Sequence, residues 1–329
     1  MEGAQKIPAV VIFAPTACGK TALAREIFGK SSLFCFKGRG EVVSADSQAV
    51  YKYLDIGSAK PSPDETADIP HHLVDFVMPD VQFGVGEFLE LADGACAEIY
   101  SRGKIPVVMG GTGFYIKSFL MGLPPTPISD PVLRESIKKR LSEEGNGKLF
   151  YELKQIDPEY AKKINPHDGY RICRALEVYY AGGKNLSSYK IPGTLRPEYS
   201  FCTIILTRGR EDLYARIDAR VDRMFEAGLE KEIEYLRNMG FTKDSPAMKA
   251  IGYSEFFRND GMDLDGIKSL IKFNTKRYAK KQYTFMKGIP GAVEIPADRK
   301  DLVVEKIRAF ISAGDPVTRK EFFPEGWLL

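Results

Sequence analysis

Short apolar runs alternate with amphipathic segments over the first third of the chain. Four runs predict buried strands, each followed by a turn signal, at residues 9–14, 41–44, 72–77 and 105–109. Between them, residues 21–29 and 85–102 carry apolar side chains at three- and four-residue spacing, which is typical of a helix with one buried face. Strands that alternate with helices predict a doubly wound parallel sheet, because a parallel pair needs a crossover connection.

The pattern changes at a proline-rich link at residues 122–127. Beyond it no strand is predicted until residues 201–206, and the intervening chain predicts helices at residues 131–144, 148–155, 158–164 and 170–181. Asp168 is a candidate N-cap for the last of these, and Gly182 and Gly183 follow its end. Further helices are predicted at residues 211–228, 229–239 and 264–287. We therefore expect a core built from residues 1–122 and 200–329, with an all-helical insertion domain at residues 123–199.

The composition is that of a globular protein of about two domains. The chain has 329 residues, of which 44% are hydrophobic and 28% charged, so collagen-like, disordered and coiled-coil classes are excluded. The longest apolar stretch, residues 7–18, contains two prolines and is shorter than the roughly 20 residues that a membrane helix needs. Five cysteines without a Cys-x-x-Cys pair argue against disulfides and zinc. We expect a cytoplasmic protein with no membrane contact. Its net charge of +3 means that nucleic-acid affinity would need local clustering.

A phosphate-binding loop is predicted between the first strand and the first helix. It comprises Ala14, Pro15, Thr16, Ala17, Cys18, Gly19, Lys20 and Thr21. Backbone N–H groups at a helix N-terminus bind phosphate, Lys20 adds a positive charge, and the Thr21 hydroxyl can reach Mg²⁺. Ala14 replaces the first glycine of the usual pattern, which requires a negative φ there. The alternatives are an ordinary strand-to-helix turn and, for Cys18, a thiol whose pKa is lowered by the helix and Lys20. The core is thus expected to be a P-loop NTPase-like parallel sheet.

Two more polar turns follow predicted strands. Asp46 comes after residues 41–44, and Thr112 lies in a Gly-Gly-Thr-Gly turn after residues 105–109. Because the carboxyl ends of parallel strands face one crevice, we expect both side chains beside the loop. Asp46 could be a Mg²⁺ ligand, a general base or merely a helix cap. A nucleotide hydrolase or kinase would normally place a second acid at the later turn, and none is present.

Several motifs together resemble the bacterial tRNA dimethylallyltransferase family, also called tRNA isopentenyltransferase or IPP transferase. They occur in the family's order at residues 15–21, 46–51, 55–61, 70–75, 110–113, 171–178, 216 and 220, 250–253 and 280–284. The resemblance runs from about residue 7 to residue 287. No Cys/His cluster follows Lys287, so we expect the bacterial form rather than the eukaryotic form with a zinc finger.

The resemblance implies transfer of a dimethylallyl group from dimethylallyl diphosphate to the N6 amine of an adenosine beside the tRNA anticodon, with Mg²⁺ as cofactor. Asp46 would act as the base, Thr112 would line the reaction channel, and Arg220 would bind the diphosphate. Thr112 could hydrogen-bond the diphosphate or orient Asp46. Arg216, Arg220 and Arg223 share one face of a predicted helix, for which a solvated basic face is the alternative.

Contacts with tRNA are expected in three segments. Residues 272–287 combine basic and aromatic side chains without an acid, a pattern that predicts phosphate binding unless it is only a solvated face. The residues expected to contact the anticodon stem-loop are Asp46, Ser47, Gln48, Ala49, Thr112, Arg134, Tyr170, Arg171, Ile172, Cys173, Arg174, Lys276, Arg277, Lys280, Lys281 and Gln282. We expect the insertion to close over the anticodon stem, His71 and His72 to be structural, and the protein to be a monomer.

Three other functions fit parts of the sequence. A P-loop kinase of a small metabolite would need ATP, and a non-catalytic nucleotide-switched RNA-binding protein would bind tRNA without turnover. An enzyme that prenylates free adenine nucleotides would share the chemistry, but it would not need the basic helix or the insertion.

Overall fold

A six-stranded, all-parallel sheet organises the core of the protein. The computed structural model describes residues 6–128, 130–190 and 192–314. The strands are β1 (Ile7–Phe13), β2 (Gly40–Ser44), β3 (His71–His72), β4 (Ile105–Gly110), β5 (Tyr199–Thr207) and β6 (Val293–Pro296). Their order is β3-β2-β4-β1-β5-β6, and Val10 of β1 pairs with Val107 on one side and Cys202 on the other. The apolar β1 therefore lies inside the sheet, with a strand paired on each side.

Helices connect the strands and form most of the remaining described chain. They are α1 (Lys20–Phe28), α2 (Pro63–Asp68), α3 (Val85–Ser101), α4 (Gly113–Met121), α5 (Pro131–Ile156), α6 (Pro158–Ala161), α7 (Gly169–Gly182), α8 (Arg210–Glu226), α9 (Leu229–Asn238), α10 (Ser254–Arg258), α11 (Leu264–Met286) and α12 (Lys300–Ser312). No helix among these described segments is long and apolar enough to cross a membrane.

The predicted strand at residues 72–77 is wrong beyond its first residue. β3 covers only His71–His72, because Leu73 and Asp75 both adopt a φ of 61°, which breaks an extended run. Val77 makes only an isolated bridge with Tyr51. β6 was not predicted, since only Ile295 of its side chains is buried and the strand pairs on one side alone.

The helical predictions agree with the structure apart from several omissions and the helix predicted at residues 158–164, of which α6 covers only Pro158–Ala161. Residues 131–144 and 148–155 form one helix that is interrupted at Gly145, where φ is 79° and ψ 164°. Asp168 caps α7, and its side chain accepts a hydrogen bond from the Arg171 N–H. The helices α2, α4, α10 and α12 were not predicted. Gly113 begins α4, so the turn before it is shorter than the sequence suggested.

The chain divides into two compact units, 1–120 with 196–329 and 121–195. In the first, α1 and α12 pack on the sheet around residues such as Ile12, Ile27 and Ile307. The second has its own core, to which α5 contributes Leu149 and α7 contributes Leu176. The sequence had placed these boundaries at residues 122/123 and 199/200. Residues 1–5 and 315–329 of the expected core lie outside the described residues.

Gly110 allows β4 to approach the end of β2. A Cβ at this position would lie 2.0 Å from the Ala45 carbonyl oxygen, whereas a Cβ at Gly94 in α3 would meet nothing within 4 Å. Gly110 is thus required by close backbone contact rather than by flexibility.

We expect Gly110→Ala to lower the free energy of unfolding by about 1–3 kcal/mol or more, because two backbone segments must separate. Gly94→Ala is the matched control and should raise it by about 0.5–1 kcal/mol, since alanine is the better residue in an open helix interior. Urea unfolding measures both changes. Equal effects of the two substitutions would contradict this explanation.

Candidate active site

The carboxyl ends of β1, β2 and β4 open onto one cavity of about 650 Å³. β1 leads into the loop before α1, β2 into Asp46 and β4 into Gly111 and Thr112. Other parts of the wall come from α8, from α11 and from the segments at residues 57–59 and 249–252. The cavity therefore collects side chains that are far apart in sequence, as the parallel topology predicts.

The loop before α1 has the backbone conformation of a phosphate-binding turn. Gly19 adopts a φ of 99° directly before the first helical residue, and Ala17 a φ of 61°. Ala14 has a negative φ, so its Cβ is tolerated in place of glycine. The first N–H groups of α1 have no hydrogen-bond acceptor within the helix, so they can donate to a ligand.

Lys20 lies at the floor of the cavity. Its Nζ donates to the carbonyl oxygens of Ala14 and Pro15, both at 3.1 Å. Burial lowers the pKa of Lys20 to about 8, Arg220 adds to this effect, and Asp46 opposes it. Burial thus makes the charged ammonium form of Lys20 less favourable, and a bound anion would stabilise that form.

Asp46 begins the turn after β2. Its Oδ1 accepts hydrogen bonds from the N–H groups of Gln48, at 2.9 Å, and Ala49, at 3.4 Å. The described residues supply no hydrogen bond to Oδ2, and Asp46 lines the cavity. One carboxylate oxygen therefore holds the turn while the other is available to a ligand. The cap-like contact that was the alternative role of Asp46 is present, but it uses only Oδ1.

Thr112 fixes the same turn from the neighbouring strand end. Its Oγ1 accepts a hydrogen bond from the Ser47 N–H at 2.9 Å and donates to Ser47 Oγ at 3.2 Å. The Thr112 N–H donates to the Ala45 carbonyl at 3.2 Å. Thr112 thus contacts the residue after Asp46 rather than Asp46 itself.

The α8 arginines face the cavity with different surroundings. Arg220 donates to the Ser58 carbonyl at 3.3 Å, and burial lowers its pKa while Asp46 opposes the shift. Arg216 pairs with Asp212 at 3.0 Å, and both Arg216 and Arg223 are exposed. Of these three arginines, only Arg220 is partly buried. A solvated basic face would leave all three exposed.

The inner face of α11 completes the cavity, and sequence reasoning largely missed it. Gln282 is buried, accepts the Thr16 N–H at 3.0 Å and donates to the Gly111 carbonyl at 2.7 Å. Tyr278 lies one turn before it and is 37% exposed. Partial desolvation of its hydroxyl, reinforced by Asp46, raises the pKa of Tyr278 to about 12. The four-residue spacing of these polar side chains was the available signal. Gln282 had been assigned only to tRNA binding, whereas both ends of its amide are bonded within the protein.

The outer face of α11 carries both paired and unpaired cations. Lys276 pairs with Asp218 at 2.7 Å, and Lys272 pairs with Asp222 at 2.7 Å. Arg277, Lys280 and Lys281 are exposed. Two basic residues of the predicted tract thus hold α11 on α8, and the others are accessible.

The remaining predicted tRNA contacts lie in the helical unit and differ in exposure. Ile172 and Cys173 are buried in its core. Tyr170 is exposed, and Arg171 pairs with Asp168 at 2.7 Å. Arg174 bonds Glu177 at 3.3 Å and Thr126 at 3.1 Å, while Arg134 lies 3.8 Å from Glu177.

Cys18 is not a low-pKa thiol. Its Sγ donates to the Leu206 carbonyl at 3.7 Å, and burial raises the pKa although Lys20 and Arg208 oppose it. Burial of the sulfur thus outweighs the neighbouring cations, and the idea of a lowered thiol pKa is wrong.

His72 pairs with Glu41 at 2.8 Å, and His71 bonds the Ile69 carbonyl at 2.8 Å, both outside the cavity lining.

The sheet order, the loop before α1 and the cationic cavity define an α/β protein of the P-loop fold class with a helical insertion, as the sequence predicted. A family model described as IPP transferase matches residues 49–288, and the chain belongs to the IPP transferase family. The family resemblance seen in the sequence is thereby confirmed.

Individual relatives support the same assignment. The tRNA dimethylallyltransferase of Geobacter sulfurreducens is 40% identical over 302 residues, which cover 90% of this chain and 95% of that protein. The crystal structure of the tRNA isopentenylpyrophosphate transferase of Bacillus halodurans has a TM-score of 0.65 at 31% identity, covering 96% of this chain and 98% of that one. A eukaryotic dimethylallyltransferase acting on tRNA has a TM-score of 0.73 at 29% identity, covering 94% and 79%.

The lowered pKa of Lys20 predicts pH-dependent anion binding. Above a pH of about 8 the free protein loses the Lys20 proton, which must be taken up again before the cation can pair with an anion. We expect the affinity for inorganic diphosphate to fall by about tenfold from pH 7 to pH 9. Calorimetry measures the affinity of the unsubstituted protein and of Lys20→Arg in the same buffers. The variant keeps its charge over this range, so it corrects for the change in protonation of diphosphate itself. Identical pH slopes for the two proteins would contradict the prediction.

Proposed function

We propose that this protein transfers a dimethylallyl group from dimethylallyl diphosphate to the N6 amine of an adenosine next to the anticodon of tRNA, releasing diphosphate. Membership of the IPP transferase family carries the overall activity, tRNA dimethylallyl transfer. The observation that supports the residue roles is the enclosure of Lys20, Asp46 and Arg220 in one cavity.

The leaving diphosphate would be stabilised from two sides. Negative charge develops on the oxygen that joins C1 to the α-phosphorus as the allylic carbon–oxygen bond breaks, and fixed donors at that place lower the barrier. The loop N–H groups that no acceptor among the described residues already bonds, those of Ala17, Gly19, Lys20 and Thr21, would bind the diphosphate at the end of β1 together with the Lys20 ammonium. Arg220 would approach it from α8, because it lines the same cavity and has only the Ser58 carbonyl as a recorded hydrogen-bond partner among the described residues.

Asp46 would be the general base. The N6 lone pair is delocalised into the adenine ring, so removal of a proton as N6 attacks should help. The new N6–C1 bond would form while the C1–oxygen electrons leave with diphosphate, and the N6 proton would pass to Asp46 Oδ2. Thr112 would hold Asp46 indirectly, through the hydrogen bonds to Ser47.

Magnesium would be held by the Thr21 hydroxyl together with diphosphate oxygens. The donor set fits this ion, because Thr21 and Asp46 offer hard oxygen atoms along the cavity and Mg²⁺ commonly uses one or two protein oxygens plus phosphate and water. When bound, the ion would neutralise charge on the diphosphate.

tRNA would contact the exposed cations of α11 and the exposed part of the helical unit. Arg277, Lys280 and Lys281 are accessible on α11, whereas Lys276 is already paired. In α7, Tyr170 and Arg171 are accessible, while Ile172 and Cys173 would support the helix from its core. Of Ser47, Gln48 and Ala49, the first two line the cavity where the target base would enter, and Ala49 is buried.

The activity is tested by incubating labelled dimethylallyl diphosphate with unmodified tRNA and Mg²⁺, beside an ATP-hydrolysis control. We expect label in tRNA without ATP consumption. Asp46→Asn should retain diphosphate and tRNA binding but slow transfer by a factor on the order of 10²–10⁴. Asp80→Asn, at an exposed acid outside the cavity lining, is the matched control and should transfer normally.

ATP consumption without labelled tRNA would favour the kinase, and tRNA binding without turnover would favour the RNA-binding module. Unchanged transfer by Asp46→Asn would leave the enzyme assignment intact and remove Asp46 from the role of base.

Lys280→Ala combined with Lys281→Ala should weaken tRNA binding and flatten its salt dependence. Two fewer phosphates would be neutralised, so the slope of log affinity against log salt concentration should fall by roughly 1.5–2. The exposed pair Lys37→Ala and Lys306→Ala, on other elements, removes the same charge and should leave the slope unchanged. Filter binding over a range of salt concentrations measures both, and equal slopes for the two double variants would place the tRNA elsewhere.

A further inference from the structure

Two of the motifs that resemble the family have no role in the chemistry described so far. They are residues 55–61, after β2, and residues 250–253, before α10. In the structure both motifs meet at one carboxylate, that of Glu232 in α9. Residues 57–59 and 250–252 also line the active-site cavity.

Glu232 is bonded by a row of backbone N–H groups. Its Oε2 accepts from Asp55 at 3.0 Å and from Ile56 at 2.7 Å, and its Oε1 accepts from Gly57 at 3.1 Å. Successive N–H groups that converge on one anion form a cradle, and here the protein's own carboxylate fills it. Bonds to an ionised acceptor are about twice as strong as neutral ones, so the turn at residues 55–57 is firmly held.

Tyr253 makes the second connection to this turn. Its hydroxyl donates to Glu232 Oε1 at 2.6 Å and accepts the Ser58 N–H at 3.2 Å. The side chain is fully buried. Burial, reinforced by Glu232, raises the pKa of Tyr253 well above the ordinary value, so the phenol remains a neutral donor at physiological pH.

The two motifs also fit each other sterically. A Cβ on Gly57 would lie 2.5 Å from Cζ of Tyr253, so only glycine allows the ring to reach the turn. Gly252 has a φ of 99°, and a Cβ there would lie 3.5 Å from the Gly57 carbonyl oxygen. Gly57 is therefore explained by the approach of the Tyr253 ring, and Gly252 by its left-handed backbone conformation, because a contact at 3.5 Å would itself be tolerated.

The far end of this arrangement is Arg220. The carbonyl of Ser58 accepts a hydrogen bond from the Arg220 guanidinium at 3.3 Å, and the Ser58 hydroxyl donates to the Leu54 carbonyl. A chain of bonds thus runs from Glu232 through Tyr253 and the backbone of Ser58 to Arg220. An arginine side chain has several rotatable bonds, and an anchored carbonyl restricts them before a ligand binds.

We propose that Glu232 and Tyr253 are positioning residues that hold the Ser58 carbonyl and, through it, aim the Arg220 guanidinium at the diphosphate. This inference rests on the proposed role of Arg220 in diphosphate binding. It assigns residues 55–58 and 250–253 to preorganisation of the leaving-group site.

The test compares Tyr253→Phe, Glu232→Gln and Arg220→Ala, each alone, and combines each of the first two with Arg220→Ala. Tyr253→Phe keeps the ring that packs on Gly57 and removes only the hydroxyl, so it remains informative if Glu232→Gln unfolds. Calorimetry gives the affinity for inorganic diphosphate with Mg²⁺, steady-state transfer gives KM and kcat, and filter binding gives the affinity for tRNA. Tyr235→Phe and Glu234→Gln, exposed residues of α9, are the matched controls.

We expect Tyr253→Phe and Glu232→Gln to weaken diphosphate binding by about three- to tenfold and to raise KM for dimethylallyl diphosphate in proportion, with unchanged tRNA affinity. In the Arg220→Ala background the same substitutions should have no further effect, because they act through Arg220. A purely structural role would give the same loss in both backgrounds.

Two results separate failure of this inference from failure of the proposed function. If Arg220→Ala leaves diphosphate affinity unchanged, the proposed role of Arg220 is wrong, and the inference falls with it. If Arg220→Ala weakens binding while Tyr253→Phe and Glu232→Gln bind diphosphate normally, or lose equal affinity in both backgrounds, only the positioning inference is overturned.

Discussion

The buried amide of Gln282 joins the two loops that the parallel sheet leaves open at the ends of β1 and β4. One amide atom accepts the Thr16 N–H and the other donates to the Gly111 carbonyl, so the phosphate-binding loop and the turn before Thr112 are held at a fixed separation. A buried amide that satisfies both its donor and its acceptor is a specific connection, because any slip would leave polar atoms unbonded. Lys20 ends the first of these loops, and Asp46 lies in the neighbouring turn after β2, which Thr112 bonds through Ser47 and Ala45. The geometry around both residues therefore depends on this connection.

The cavity is electrostatically incomplete without an anion. Lys20 and Arg220 are both partly buried, the pKa of each is lowered by burial, and Asp46 opposes both shifts. A single carboxylate therefore faces two desolvated cations, and a diphosphate would supply the missing negative charge.

The sequence was most informative for site residues that directly follow a predicted strand. The phosphate-binding loop, Asp46 and Thr112 each follow an apolar strand, and parallel topology alone places strand ends together. Gln282 and Glu232 could not be assigned in this way, because their roles depend on backbone groups more than a hundred residues away. The short β3 shows the opposite limit: residues 72–77 are apolar enough for a strand, yet two positive φ values end it. β6 has a mostly exposed pattern that carries almost no signal.

Under the proposed function, opposite faces of helix α11 would contact the two substrates. On its inner face, Tyr278 and Gln282 bond the Gly111 carbonyl after β4, while its outer face exposes Lys280 and Lys281. Lys276 pairs with Asp218 of α8, the helix that carries Arg220, so the two helices are fastened beside the same cavity. A continuous helix of 23 residues cannot move one face without the other. The position of the exposed cations is therefore tied to the loop that would bind the prenyl donor, which is the arrangement that a reaction between two separately bound substrates requires if tRNA binds those cations.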